Sequence, residues 1–129
     1  MNTAIAKQQS AQNGITELVI TNNQDQYQHW LLPMIAHLSH LEADRWLTWI
    51  NPNSIDKQAL ISYGADLGRI RLVHLNPQQT ELWAVWEAMS AGNSHTVVAS
   101  PGLTSAKQLA QLEQAADKGG CQGLMLRFR

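Results

Sequence analysis

His37 and His40 stand at i and i+3 on an apolar-periodic segment, which turns both imidazoles to one face of a helix at a spacing that suits two metal ligands. Glu42 alone does not complete a ligand set, so a solvated polar face accounts for the pair better. His29, His74 and His95 are isolated, and no G-x-S-x-G turn makes Ser94 or Ser100 a nucleophile. Cys121, the single cysteine, excludes an internal disulfide and has no base nearby, so it reads as a small buried hydrophobe. The stretch LVITNNQDQYQHWLL, residues 18–32, has the strand-loop-helix order that holds phosphate in many α/β proteins. Its loop contains neither the glycines nor the lysine that would close around a phosphate. The late strand HTVVAS ends in Ala99 and Ser100 rather than in an acid for Mg²⁺, and no glycines take the G-x-G-x-x-G spacing. Neither a cofactor nor a metal is expected.

What remains is a cluster suited to contact rather than catalysis. Arg45, Trp46, Trp49 and Ile50 lie in one strand region and Arg69 and Arg71 in the next, mixing arginine with large apolar groups as binding hot spots do. The plainer alternative is a core tryptophan pair flanked by solvated arginines. Five tryptophans against one phenylalanine and two tyrosines favour some half-exposed indoles, because a buried indole N–H needs a partner. Nine basic and ten acidic residues, spread without blocks, leave a formal net charge of -1 and no footprint for nucleic acid or an anionic membrane. With no signal-peptide pattern and no long apolar span, a cytoplasmic protein is expected.

The elements that must carry this cluster follow from periodicity. A polar arm is expected over residues 1–14 and is expected to be mobile, with one α/β domain over 15–129. ITELVI from Ile15 alternates at first and then runs apolar, predicting a strand buried on both faces at its end. Leu31, Met34, Ile35, Leu38 and Leu41 predict a helix stripe, with Pro33 either near its start or kinking its first turns. RWLTWI is the second strand, with Arg45, Leu47 and Trp49 on one face and Trp46, Thr48 and Ile50 on the other. A helix over 55–63 stopped by Gly64, the strand GRIRLVHL, and a helix over 80–91 stopped by Gly92 follow. HTVVAS, a helix opened by a Ser105–Gln108 capping box, and GLMLRF complete the series. Five strands alternating with four helices predict a three-layer α/β fold, a mainly parallel sheet with helices on both faces.

In LLPMIAHLSHLEADRWLTWINP, YGADLGRIRLVHL, AMSAGNSHTVVASPG and ADKGGCQGLMLR the chain resembles the SOS cell-division inhibitor family SulA over almost its whole length after the arm. The resemblance implies a RecA-like core without its nucleotide site. It further implies binding to the tubulin-like division GTPase FtsZ at the synergy-loop surface, which blocks filament growth and GTP hydrolysis during the SOS response. Carried over by position, the family's sensitive residues fall on Arg45, Ile50 and Arg69, with Trp46 beside them. Ile50 stands where relatives have leucine, Arg69 where they have lysine, and Ala59 where some have tryptophan. Homodimers and removal by the Lon protease are also implied. The competing expectation is a RecA-like accessory protein of DNA repair, acting through protein contacts.

Overall fold

In the computed structural model the chain is described for residues 13–21, 27–52, 55–102 and 104–128. Residues 1–12 of the expected arm and most of the loop after the first strand lie outside these, and Gly14, expected in the arm, opens the first strand. The strands are β1 (Gly14–Ile20), β2 (Trp46–Ile50), β3 (Ile70–Val73), β4 (Ser94–Ala99) and β5 (Gln122–Phe128). The helices are α1 (Gln28–Leu38), α2 (Lys57–Ser62), α3 (Glu81–Ser90) and α4 (Ala106–Gly119), with one 3-10 turn, Leu67–Arg69, before β3.

All pairings are parallel, in the order β1-β5-β4-β2-β3. From β1 the chain moves outward to β2 and β3, then returns through β4 to β5. Crossovers of one hand must then change faces at the reversal. The two cores follow that rule. Leu31, Ile35, Leu47, Trp49 and Leu60 pack α1 and α2 on one face. Ile50, Val85, Met89, Val97 and Leu112 pack α3 and α4 on the other. Alternation along β2 is therefore as its sequence predicts, and β4, central in the sheet, is buried along its whole length.

Local chemistry sets the element ends. The side chain of Asp56 caps α2 by accepting from the Ala59 N–H at 3.1 Å, which shortens this helix from its expected start. Gly64 follows with φ of 99°, the left-handed backbone expected at its stop. The capping box of Ser105 and Gln108 opens α4, with both reciprocal bonds made. α3 and α4 approach so closely that a Cβ on Gly119 would lie 1.7 Å from the Met89 carbonyl oxygen.

Two expectations need correction. β1 is an edge strand, and its end is not buried on both faces: Val19 is 45% exposed while Ile20 is buried. Leu41 does not join the α1 stripe, because the helix ends at Leu38 and Leu41 is exposed. Pro33 sits inside α1, where its missing N–H leaves the His29 carbonyl without its i+4 donor. No helix of the described residues is long and apolar enough to cross a membrane.

Candidate interaction surface

In a parallel sheet all strands start at one edge. Trp46 opens β2 and Ile70 opens β3, and the two strands pair with Leu47 opposite Ile70. Arg45, Trp46 and Arg69 therefore stand together at the amino-terminal edge. Ile50 does not: it ends β2 at the opposite edge and is 1% exposed, so it supports the α3 and α4 core rather than offering a side chain to a partner. Trp49 is likewise core.

Arg45 is already occupied. Its Nε and one terminal nitrogen donate to the two carboxylate oxygens of Glu42 at 2.8 and 2.6 Å, and the other donates to the Gly119 carbonyl at 3.0 Å. The guanidinium thus joins the α1–β2 connection to the carbonyl end of α4, where a cation is also favoured by the helix dipole. Hydrogen bonding from Arg45 holds the Glu42 carboxyl below its ordinary range, and Glu42 in turn raises the pKa of Arg45. Arg69 meets Asp66 only at 3.7 Å, with both side chains well exposed.

Arg71 is held differently. Its Nε and Nη2 donate to Thr48 Oγ1 at 3.3 and 3.1 Å, and Nη2 also reaches Asn93 Oδ1 and Ser94 Oγ at 3.3 Å each. Its guanidinium carbon lies 5.8 Å from the centre of the Trp46 ring, a cation–π distance. Trp46 is 37% exposed, and its backbone N–H donates to the Asn93 carbonyl at 3.0 Å.

The remaining titratable candidates are placed apart from this edge cluster or locked into the core. His37 is exposed on α1, and His40 bonds the Gly64 carbonyl at 2.8 Å. Among the described residues no three His, Cys, Asp or Glu side chains come together as a metal would need. Cys121 is buried, and burial pushes its thiol up to about 11, with the Arg45 charge pulling the other way. His95, 4% exposed, has Nδ1 against Thr96 Oγ1 at 2.8 Å and no partner for Nε2 among the described residues. Burial lowers its pKa, Glu42 opposes that shift, and Arg45 adds to it.

Residues 13–123 match the family described as "Cell division inhibitor SulA". The chain belongs to the SulA family. The cell division inhibitor SulA of Photorhabdus laumondii is 32% identical over 98 residues, covering 75% of this chain and 54% of that protein. SulA of Pseudomonas aeruginosa is 35% identical over 99 residues, covering 76% of this chain and 62% of the relative. The matched part thus spans between half and two thirds of these relatives' length. The crystal structure of Pseudomonas aeruginosa SulA superposes with a TM-score of 0.80 at 30% identity, over 89% of this chain and 98% of that one.

In this SulA-family fold the crevice rule for open α/β sheets points to the carboxyl edge between β4 and β2, where the chain changes direction. Among the described residues that cleft, lined by Tyr27, Leu31, Trp49, Ser100 and Phe128, encloses about 10 Å³. That is room for about one water. Tyr27 packs edge-on against Phe128 there, with ring centres 5.2 Å apart. The amino edge is the opposite case, with Arg69, Arg71 and Trp46 presented side by side. The neutral hydroxyls and amide around Arg71 escaped sequence reasoning. A polar Asn93-Ser94 pair entering a buried strand was the available signal.

Proposed function

We propose that this SulA-family chain arrests bacterial cell division during the SOS response by binding FtsZ with the amino-terminal edge of its sheet. It covers the synergy-loop surface by which one FtsZ subunit docks on the nucleotide of the next. Filament growth stops, and the neighbouring subunit loses the acidic groups that complete GTP hydrolysis. Stoichiometric capture requires a surface and no chemistry in the inhibitor.

The observation that carries this reading is the gathering of Arg45, Trp46 and Arg69 at one edge, in a chain of this family. Ile50 acts from beneath, through packing. A standard interface buries roughly 1,600 Å² in total, of which a few side chains carry most of the energy. Homodimerisation and turnover by Lon belong to the same proposal and rest on the family resemblance, and a cytoplasmic location belongs to it on the sequence pattern alone.

The test is FtsZ assembly followed by light scattering with this protein added. Scattering should fall as the protein approaches the FtsZ concentration, and Arg69→Ala should raise the amount needed for half-inhibition about tenfold. Full assembly at a molar excess of the protein refutes the proposal.

A further inference from the structure

Among the described residues, Arg71 is the cation at the amino edge that has no acidic partner. Among the described residues the ion pairs are Arg45 with Glu42, Arg69 with Asp66, and Arg127 with Glu17. The partners of Arg71 are instead two hydroxyls and an amide oxygen, all neutral. They orient the guanidinium through Nε and Nη2 and leave Nη1 without an acceptor among the described residues. Thr48 and Ser94 do not need Arg71 for satisfaction, since their hydroxyls bond each other at 2.6 Å while both are fully buried. An arginine held by neutral acceptors keeps its whole charge, and its fork is already aimed. The conformational cost of ordering it is met before any partner arrives.

We propose that Arg71, stacked on Trp46, is the carboxylate-binding residue of this surface, and that it takes an aspartate or glutamate side chain of the protein partner. The inference rests on the reading of the amino edge as the partner-binding face, and it identifies the chemistry recognised there. The carboxylate accepts from Nη1, at the margin of a part-desolvated pocket where a charge-assisted bond is stronger than in water. Apolar atoms beside that carboxylate cover the exposed part of the Trp46 ring, which shields the new ion pair from solvent. Arg45 cannot take this role without giving up Glu42. Its effect on binding is that of a bracket.

The experiment compares the wild type, Arg71→Met and Arg71→Lys in the FtsZ light-scattering assay at two salt concentrations, with thermal melts of all three. Methionine keeps the apolar stem over Thr48 and removes the charge; lysine keeps the charge without the fork. Arg71→Met should need at least tenfold more protein for half-inhibition and should show a shallower dependence on salt than the wild type. Arg71→Lys should fall between the two. If Arg71→Met melts too low to test, the lysine variant carries the comparison, and inhibition equal to wild type at both salts overturns the inference. A wild type that inhibits and a folded Arg71→Met that inhibits equally, with the same salt dependence, overturn the inference while leaving the FtsZ reading intact. A wild type that fails to inhibit overturns both. Equal losses in the two variants with unchanged salt dependence mean that Arg71 acts by shape alone, which also refutes it.

Discussion

Arg45→Ala should cost stability before it costs binding. The guanidinium makes two bonds to Glu42 and one to the Gly119 carbonyl. Side-chain exposures of 25% for Arg45 and 42% for Glu42 leave that pair strongly screened, so its loss costs about 0.5–1 kcal/mol. The bond from a charged donor to the Gly119 carbonyl contributes about 1 kcal/mol more. The sum, about 1.5–2 kcal/mol, corresponds to a melting temperature lower by about 5–8 °C for a domain of this size. Glu42→Ala alone should cost only about 0.5–1 kcal/mol, and adding it to Arg45→Ala should change little further, because the two share one interaction. Thermal and urea unfolding of the four proteins measures this cycle. If Arg45→Ala melts with the wild type yet loses inhibition, Arg45 reaches the partner directly and its role as a bracket is refuted.

Gly119→Ala puts a Cβ 1.7 Å from the Met89 carbonyl oxygen and 2.9 Å from its carbon, backbone against backbone, with no rotamer to relieve it. A loss above about 3 kcal/mol is expected, visible as a lower urea midpoint or as failure to express in soluble form. His95 makes stability depend on pH near neutrality. Burial holds its pKa below the ordinary 6.5 in the folded state. Below 6.5 the unfolded chain therefore binds a proton that the folded chain refuses, and stability falls as pH drops from about 7 toward 5. Urea midpoints at pH 7.5, 6.5 and 5.5 should decline in the wild type and decline less in His95→Gln; equal slopes refute the assignment.

The layered parallel architecture was legible because each element carried its own period and its own stop. The capping box at Ser105 and the stop at Gly64 name helix ends from one or two residues, and the structure places both as read. Strand order is not local, and it decides burial. ITELVI reads as a strand buried at its end, but placement at the sheet edge leaves Val19 open, which no pattern within those six residues encodes. The site was legible as a list of residue types and not as a division of labour. Arg45 and Arg71 look alike in sequence, and Ile50 looks available beside Trp46. Which arginine is neutralised depends on Glu42 three residues upstream, and how Arg45 is tied down depends also on Gly119, 74 residues downstream. The Glu42 spacing could have been read as an ion pair; the reach to Gly119 could not.

The sheet order has a consequence for synthesis. β5, the last of these five strands to leave the ribosome, takes an interior place between β1 and β4, and among the five β1 has no neighbour until it does so. Arg45, meanwhile, closes its bracket only when the end of α4 exists to receive it. A nascent chain that already contains Arg45, Trp46, Arg69 and Arg71 therefore still lacks the arrangement that presents them. Closure across such sequence distances comes late in folding. An amino-terminal fragment that stops short of Gly119 lacks the acceptor that closes the Arg45 bracket, so translation must pass the end of α4 before the finished edge comes into being.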